Sequence, residues 1–193
     1  MIDLDLPPEE RFVQVTTDLK EQTNLMIRDY LMITPFFVKQ FFEHNLEEIK
    51  ASHLELFLEV ESASKILGQE VHLGFLLNFA FEIGKALCTS IVARQEDGSV
   101  LHGRNMDFAF PDTMRNASYV AKFYRNGEYL YDAVMFGGYM GVVTAYKENA
   151  WSFSMNGRHV DFSVANYLSI MAQIKTPLQE VGIALRKALE GAS

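Results

Sequence analysis

The sequence contains very little cysteine: Cys88 is its one cysteine among 193 residues. A disulfide within the chain is therefore impossible. So low a cysteine count is typical of proteins from reducing compartments, but a lone cysteine is equally the pattern of a catalytic nucleophile. Composition alone leaves both interpretations of Cys88 open.

Basic residues are also scarce relative to acidic ones, 17 against 25, which gives a formal net charge of −8 and a pI near 5.1. Nucleic-acid-binding proteins present a basic surface, so this balance argues against such a partner. It suits a protein that works in acid, because carboxylates then lose charge and repel one another less.

Long apolar runs are lacking too, and no stretch approaches the roughly 18 residues that a membrane span needs. The first residues read MIDLDLPP and have neither the basic nor the apolar region of a secretory signal. We find no internal repeat, no phosphate-binding loop and no metal-ligand spacing among the histidines, so the sequence predicts no metal and no cofactor. Hydrophobic residues nevertheless make up 49% of the chain, enough for a sizeable core in one domain.

The hydrophobic pattern changes character at Cys88. Before it, apolar residues recur at helical spacing, and the pattern predicts helices over 54–66 and 71–87 with a break near Gly68. The second of these is apolar nearly all round and is therefore expected to be buried. We interpret residues 1–87 as a helical region.

After Cys88, short apolar segments alternate with turn residues. Glu96-Asp97-Gly98 and Asn126-Gly127 are hairpin signals, and Gly137-Gly138 indicates a turn or a close backbone approach. The predicted elements are strands over 89–94, 100–108, 119–124, 129–136, 141–146 and 151–155, then closing helices over 162–174 and 177–189. Helices, antiparallel strands and helices in that order predict an α+β fold, with residues 88–193 as a strand-rich domain.

The residues with catalytic potential cluster around Cys88. Residues 88–93 read CTSIVA, and residues 102–108, across the first hairpin, read HGRNMDF. A hairpin brings facing residues within about 5 Å, and a cysteine becomes a nucleophilic thiolate beside a cation or base. Arg104 could supply the cation, Asp107 could orient a base, and His102 lies on the same strand face as Arg104. A small buried cysteine and a surface Arg–Asp pair remain the alternative interpretation.

These two segments, CTSIVA and HGRNMDF, resemble the processing site of the acid ceramidase and N-acylethanolamine acid amidase family of N-terminal-nucleophile cysteine hydrolases. The likeness extends along nearly the whole chain: residues 3–11 (DLDLPPEER) resemble the start of the family's mature chain. Residues 78–82 (NFAFE) resemble the buried helix before its cysteine, and residues 136–141 (FGGYMG) resemble its glycine-rich turn.

The resemblance implies a lipid amidase whose fold is the first half of an αββα sandwich, preceded by a helical α-subunit-like segment. Self-cleavage between Leu87 and Cys88 would expose an α-amino group that acts as base for the Cys88 thiol. Arg104 matches the arginine beside the thiolate, and Asp107 matches the aspartate that holds the α-amine. The pieces would form an α/β heterodimer that releases a fatty acid from ceramide or an N-acylethanolamine, in a lysosomal or secretory setting.

Two departures from the family pattern concern the rest of the site. Asn156 and Arg158 match the family's substrate and oxyanion region, but Gly157 stands where the family has Glu. The family chain also continues past Ser193, with a further oxyanion asparagine and a second arginine. The resemblance therefore implies that this chain alone hydrolyses lipid amides poorly or not at all. The other hypotheses are a truncated product or paralogue that binds lipid or a partner, and an acylase of the bile-salt or penicillin type.

Two further features follow from the sequence. An aromatic segment is a candidate membrane-surface contact or, alternatively, a buried core helix; its residues are Phe36, Phe37, Phe41 and Phe42. Asn116 begins the glycosylation sequon Asn-Ala-Ser, which matters only if the chain is secreted.

Overall fold

The computed structural model describes residues 1–83, 87–156 and 181–191. A two-residue strand, β1 (Ile2–Asp3), comes first. Seven helices follow: α1 (Pro8–Arg11), α2 (Val13–Asp18), α3 (Lys20–Ile33), α4 (Phe36–His44), α5 (Leu46–Ser52), α6 (Leu54–Leu67) and α7 (Val71–Ile83). Then come β2 (Leu87–Arg94), β3 (Val100–Asp107), α8 (Pro111–Asn116), β4 (Ser118–Arg125), β5 (Glu128–Phe136), β6 (Thr144–Lys147), β7 (Trp151–Ser154) and α9 (Val181–Gly191). The fold is α+β, as the sequence predicts.

The strands form two sheets. The larger has the order β1-β4-β5-β6-β7, and β2 and β3 form a separate antiparallel pair. The turn between β4 and β5 uses Asn126 at φ 53° and Gly127 at φ 74°, the left-handed conformations that a tight hairpin turn requires. Gly98 at φ 88° does the same between β2 and β3. Both predicted hairpins are confirmed.

Apolar and polar residues alternate along the strands, so the two faces of the larger sheet differ in polarity. Ala121, Phe123, Tyr131 and Ala133 are buried on one face, where they pack in one core with Phe42, Val60 and Phe79 of the helices. The opposite face carries more polar residues, among them Lys122, Asp132, Tyr146, Ser152 and Ser154, which the strand registers place together. The helices therefore cover one face, and the other is left for the β2–β3 hairpin.

A second core forms near the start of β2. Met26, Ile27 and Tyr30 of α3 pack there with Leu77 of α7 and with residues that follow β5. The glycine-rich segment 136–141 belongs to this region: Gly138 has φ 76°, and a Cβ on Gly137 would collide with Thr23. The predicted close backbone approach is confirmed.

Asn78 of α7 ties that segment to the helices. It is completely buried, it donates to the carbonyl oxygen of Gly138 at 2.9 Å, and its own oxygen accepts from the backbone N–H of Met140 at 2.8 Å. Two segments that the sequence singled out, 78–82 and 136–141, are thus joined by one side chain. A buried amide satisfied in this way stabilises a single arrangement of the loop.

Several predicted bounds are wrong. The helix expected over 71–87 ends at Ile83, and Leu87 belongs to β2. Residues 141–143 precede the strand that was predicted to start at Gly141, because Val142 bonds instead to the backbone of Gly182 in α9. The helical pattern before Cys88 also hides β1, which pairs parallel with β4. The predicted helix over 162–174 lies outside the described residues.

The aromatic segment of α4 is divided between surface and core. Phe36 is 71% exposed and Phe37 38% exposed, whereas Phe42 is fully buried and packs edge-on against Phe79 of α7. The prediction that Phe42 contacts a membrane surface is wrong, because helical spacing turns it toward the core. Within the described ranges, none of the helices combines the length and apolar character needed to cross a bilayer.

Candidate active site

Cys88 is the second residue of β2, and the register of the hairpin decides what lies beside it. Cys88 faces Met106 across the pair, and Ser90 faces Arg104. Facing residues of an antiparallel pair share a side of the sheet, so these four side chains lie on one face. Arg104 is thus the diagonal neighbour of Cys88, within reach of a long side chain.

The guanidinium of Arg104 makes that contact. Its Nη2 lies 3.7 Å from Cys88 Sγ, and both residues are half-buried. Burial lowers the pKa of Arg104, and the Coulombic interaction with Cys88 offsets part of that shift. Since a guanidinium keeps its proton in proteins, the sulfur lies beside a permanent positive charge. The structure thereby brings together two of the predicted site residues.

Asp107 lies on the other face of the hairpin. It faces Leu87, the residue before Cys88, and its carboxylate accepts a hydrogen bond from the Asn105 side chain at 2.6 Å. Asp107 is therefore beside the predicted cleavage site rather than beside the Cys88 thiol. Its role toward an α-amine stays a prediction.

Asn156 joins the site from 68 residues further along the chain. It follows β7, and its Oδ1 accepts from Arg104 Nη1 at 3.4 Å and from the Ser90 hydroxyl at 3.1 Å. The sequence predicted Asn156 as part of the substrate region, and the structure places it beside Arg104. Gly157 and Arg158, the other residues of that region, lie outside the described residues.

His102 does not bind Cys88. Its ring lies against β7, with Nδ1 at 2.9 Å from the Ser152 hydroxyl and Nε2 at 3.1 Å from the Ser154 hydroxyl. The sequence analysis placed His102 on the same strand face as Arg104 and missed both serines. The sequence of residues 151–154, WSFS, could have indicated them, because alternation along a strand places Ser152 and Ser154 on one face.

Two clefts flank Arg104. One, of about 680 Å³, is lined by Arg104 and Asp107 and by the apolar side chains of Met106, Phe108, Met114 and Phe136. The other, of about 660 Å³, has His102, Tyr146 and Trp151 in its lining. Arg104 is therefore accessible from both sides. In the described part of the chain, no three His, Cys, Asp or Glu side chains gather as a metal ion would require.

Family comparisons agree with these features. The family described as linear amide C–N hydrolases, choloylglycine hydrolase family, matches residues 88–189. The beta subunit of N-acylethanolamine-hydrolyzing acid amidase matches residues 1–49. The first match begins at Cys88 and covers more than half of the chain.

Curated relatives carry two names. The acid ceramidase of Macaca fascicularis is 27% identical over 100% of this chain and 53% of its own length. N-acylethanolamine-hydrolyzing acid amidase from Caenorhabditis elegans is 27% identical over 98% of this chain and 55% of its own. The Cavia porcellus enzyme of that name is 33% identical over 53% of this chain and 28% of its own. The chain thus spans about half the length, or less, of these relatives. A solved structure of the C. elegans ortholog matches 53% of this chain at 32% identity with a TM-score of 0.47.

Proposed function

The chain belongs to the acid ceramidase and N-acylethanolamine acid amidase family, and on that premise we propose that it is a lipid amidase with Cys88 as its nucleophile. The reaction is hydrolysis of a fatty-acid amide, either a ceramide or an N-acylethanolamine. The contact between Arg104 and the Cys88 sulfur carries the proposal, because a thiolate is the attacking species and a fixed cation stabilises it.

Cleavage between Leu87 and Cys88 comes first in this mechanism. It gives Cys88 a free α-amino group, whose ordinary pKa is about 8 and which can take the proton from its own thiol. Asp107 supports this role from its place opposite Leu87, where its negative charge favours the protonated amine. The helical region and the strand-rich domain then form an α/β heterodimer.

The thiolate of Cys88 then attacks the carbonyl carbon of the amide. A tetrahedral intermediate forms, the C–N bond breaks, and the leaving amine takes the proton that the α-amine received from the thiol. The acyl group stays on sulfur until water attacks the thioester and releases the fatty acid. We assign the oxyanion donor to Asn156, whose carboxamide lies beside Arg104, and Arg158 belongs to the same proposed region.

The cleft that contains Met106 and Phe136 in its lining suits the acyl chain. Met106 shares a strand face with Cys88, and the lining continues through Phe108, Met114 and Phe136. Apolar walls with a few polar groups at one end are the usual form of a lipid-binding site. The second cleft, beside His102 and Trp151, is left for the amine side of the substrate.

Access to a lipid surface and the cellular setting belong to the same proposal. Phe36 and Phe37 are exposed at the start of α4, with Met32 and Ile33 exposed at the end of α3. Such a cluster can enter the interfacial layer of a membrane. Asn116 is exposed at the end of α8, so its sequon is accessible to glycosylation in a lysosomal or secretory setting.

One observation favours a second candidate function, binding of a partner without catalysis. The β2–β3 hairpin exposes four apolar side chains by more than half, with Ile91 and Leu101 on one face and Val92 and Val100 on the other. Exposed apolar side chains that lie together are typical of interaction surfaces. This candidate predicts binding that is indifferent to Cys88.

The test is fatty-acid release from a fluorescent ceramide and a fluorescent N-acylethanolamine at acid pH. Wild-type protein is compared with Cys88→Ala, which removes the sulfur and leaves the hairpin intact. We expect slow release from at least one substrate by wild type and none by the variant, together with a mass increase of one acyl group on wild type. Equal release by both proteins would refute Cys88 as the nucleophile. Partner capture that Cys88→Ala retains, without any turnover by wild type, would favour the second candidate.

A further inference from the structure

A chain of hydroxyl groups connects His102 to Asn156. The Ser154 Oγ lies 3.1 Å from His102 Nε2 and 2.6 Å from the Ser90 Oγ. Ser90 in turn donates to Asn156 Oδ1 at 3.1 Å. These residues come from β3, β7 and β2 and from the segment after β7, so the chain crosses from the hairpin to the larger sheet and returns toward Arg104.

With Asn156 Oδ1 as the acceptor at one end, counting protons fixes the direction of every other bond in this chain. A serine hydroxyl carries one proton, and Ser90 uses its proton on Asn156. Ser90 must therefore accept from Ser154, and Ser154 must accept from His102. It follows that His102 carries its proton on Nε2, while Nδ1 can accept from Ser152 at 2.9 Å.

These contacts define the orientation of the Asn156 carboxamide. Its Oδ1 accepts from both Ser90 and Arg104. A flipped carboxamide would direct its NH₂ protons at the Arg104 guanidinium, which can only donate. Arg104 therefore opposes that flip, and Ser90 serves as the second donor to Oδ1. The Nδ2 amino group is then held on the opposite side, as a donor for another group.

We propose that Ser154, Ser90 and His102 are positioning residues that hold the Asn156 carboxamide with its NH₂ oriented as an oxyanion donor. This inference rests on the proposed function, because an oxyanion forms only when the Cys88 thiolate attacks an acyl carbon. A preorganised donor is effective because it needs no reorientation when charge develops. The three residues act on the oxyanion through Asn156.

The first test requires no turnover. In ¹⁵N-labelled wild-type protein at alkaline pH, the ring nitrogens of His102 report which of them is protonated. We expect the Nε2–H form in wild type and its loss or exchange with the other tautomer in Ser154→Ala. A wild-type His102 protonated on Nδ1 alone would overturn the relay, whatever the activity of the protein.

The second test separates oxyanion stabilisation from thiolate reactivity. A fatty-acyl p-nitrophenyl ester acylates Cys88: the S–C bond forms, the C–O bond breaks, and nitrophenolate is released through a tetrahedral oxyanion. Iodoacetamide alkylates the same sulfur by displacement of iodide, without an oxyanion. We expect Ser154→Ala and Ser90→Ala to slow acylation about 10-fold and to leave the alkylation rate within about twofold of wild type.

Ser152→Ala is the matched control, because Ser152 contacts the same imidazole but stands outside the path to Asn156. It should acylate at close to the wild-type rate. Equal losses in Ser152→Ala and Ser154→Ala, or equal losses of acylation and alkylation, would overturn the positioning role. If wild-type Cys88 is alkylated but never acylated, the proposed function fails, and the His102 protonation still decides whether the relay exists.

Discussion

Glu59 and Arg186 form a two-pronged ion pair, at 2.7 and 2.9 Å, between α6 and α9. Both side chains are essentially inaccessible to solvent, at 0% and 1% exposure. Arg186 also donates to the carbonyl oxygen of Met140, and Arg11 contacts Glu59 from α1. The pair thus connects the segment before the proposed cleavage site to the segment after it.

We predict that breaking this ion pair lowers the free energy of unfolding substantially. Glu59→Gln leaves the buried Arg186 charge with Glu190, at 2.9 Å, as its remaining carboxylate. Removing one partner of a buried pair costs about 3–5 kcal/mol, and Glu190 places the expected cost at about 3 kcal/mol. Urea titration of wild type and variant gives the two free energies of unfolding, and their difference is the cost. Glu55→Gln is the control, because Glu55 also binds Arg11 but is 39% exposed, so its loss should cost no more than about 1 kcal/mol. Similar small costs for both variants would show that the pair contributes little.

We predict that the Asp29 carboxyl group makes the stability of the fold depend on pH. Its pKa lies below its ordinary value, chiefly because the Thr113 hydroxyl donates to the carboxylate and also because Arg28 does so. A carboxyl group with a lowered folded-state pKa stabilises the fold above its unfolded pKa and loses that contribution as pH falls through the folded value.

The corresponding experiment follows unfolding free energy from pH 7 down into the acid range. Thr113→Val should lower stability by about 1–3 kcal/mol at pH 7, as for a lost hydrogen bond to a charged group. The deficit should shrink at the lowest pH, where Asp29 is protonated in both proteins. A deficit of constant size across the range would rule out Asp29 as the titrating group.

We predict that Arg104 increases the reactivity of the Cys88 thiol. Removing the cation 3.7 Å from Cys88 Sγ should slow alkylation by iodoacetamide about 10-fold in Arg104→Ala, equivalent to about 1.4 kcal/mol. Arg104→Lys should lie between, since a lysine retains charge without the planar reach. Arg94→Ala is the control, at the far end of β2. Equal rates in Arg104→Ala and wild type would remove Arg104 from the proposed role.

Local signals account for what the sequence predicts well. The turn at Asn126-Gly127 needs positive φ at both residues, which few residue types tolerate, so it could be identified from two letters. Cys88 and Arg104 could be paired because one hairpin separates them and its turn fixes the register. The α+β order was likewise visible as a change in period from helical to strand spacing.

Long-range pairings account for what the sequence does not predict. β1 is two residues long and exists because it pairs with β4, more than 110 residues away. Asn78 reads as one polar residue in an apolar helix, and its function as a clamp on Gly138 and Met140 depends on packing. The same holds for Ser154, whose partners on β2 and β3 are 64 and 52 residues distant.

The central claim is that Cys88 becomes an N-terminal nucleophile by self-cleavage, and intact-mass measurement after incubation in mild acid tests it most directly. We predict two pieces from the wild-type chain that meet between Leu87 and Cys88, with Cys88 as the new N-terminus. Cys88→Ala should remain a single chain under the same conditions. A wild-type chain that stays whole, or a Cys88→Ala variant cut at the same bond and rate, would contradict the claim.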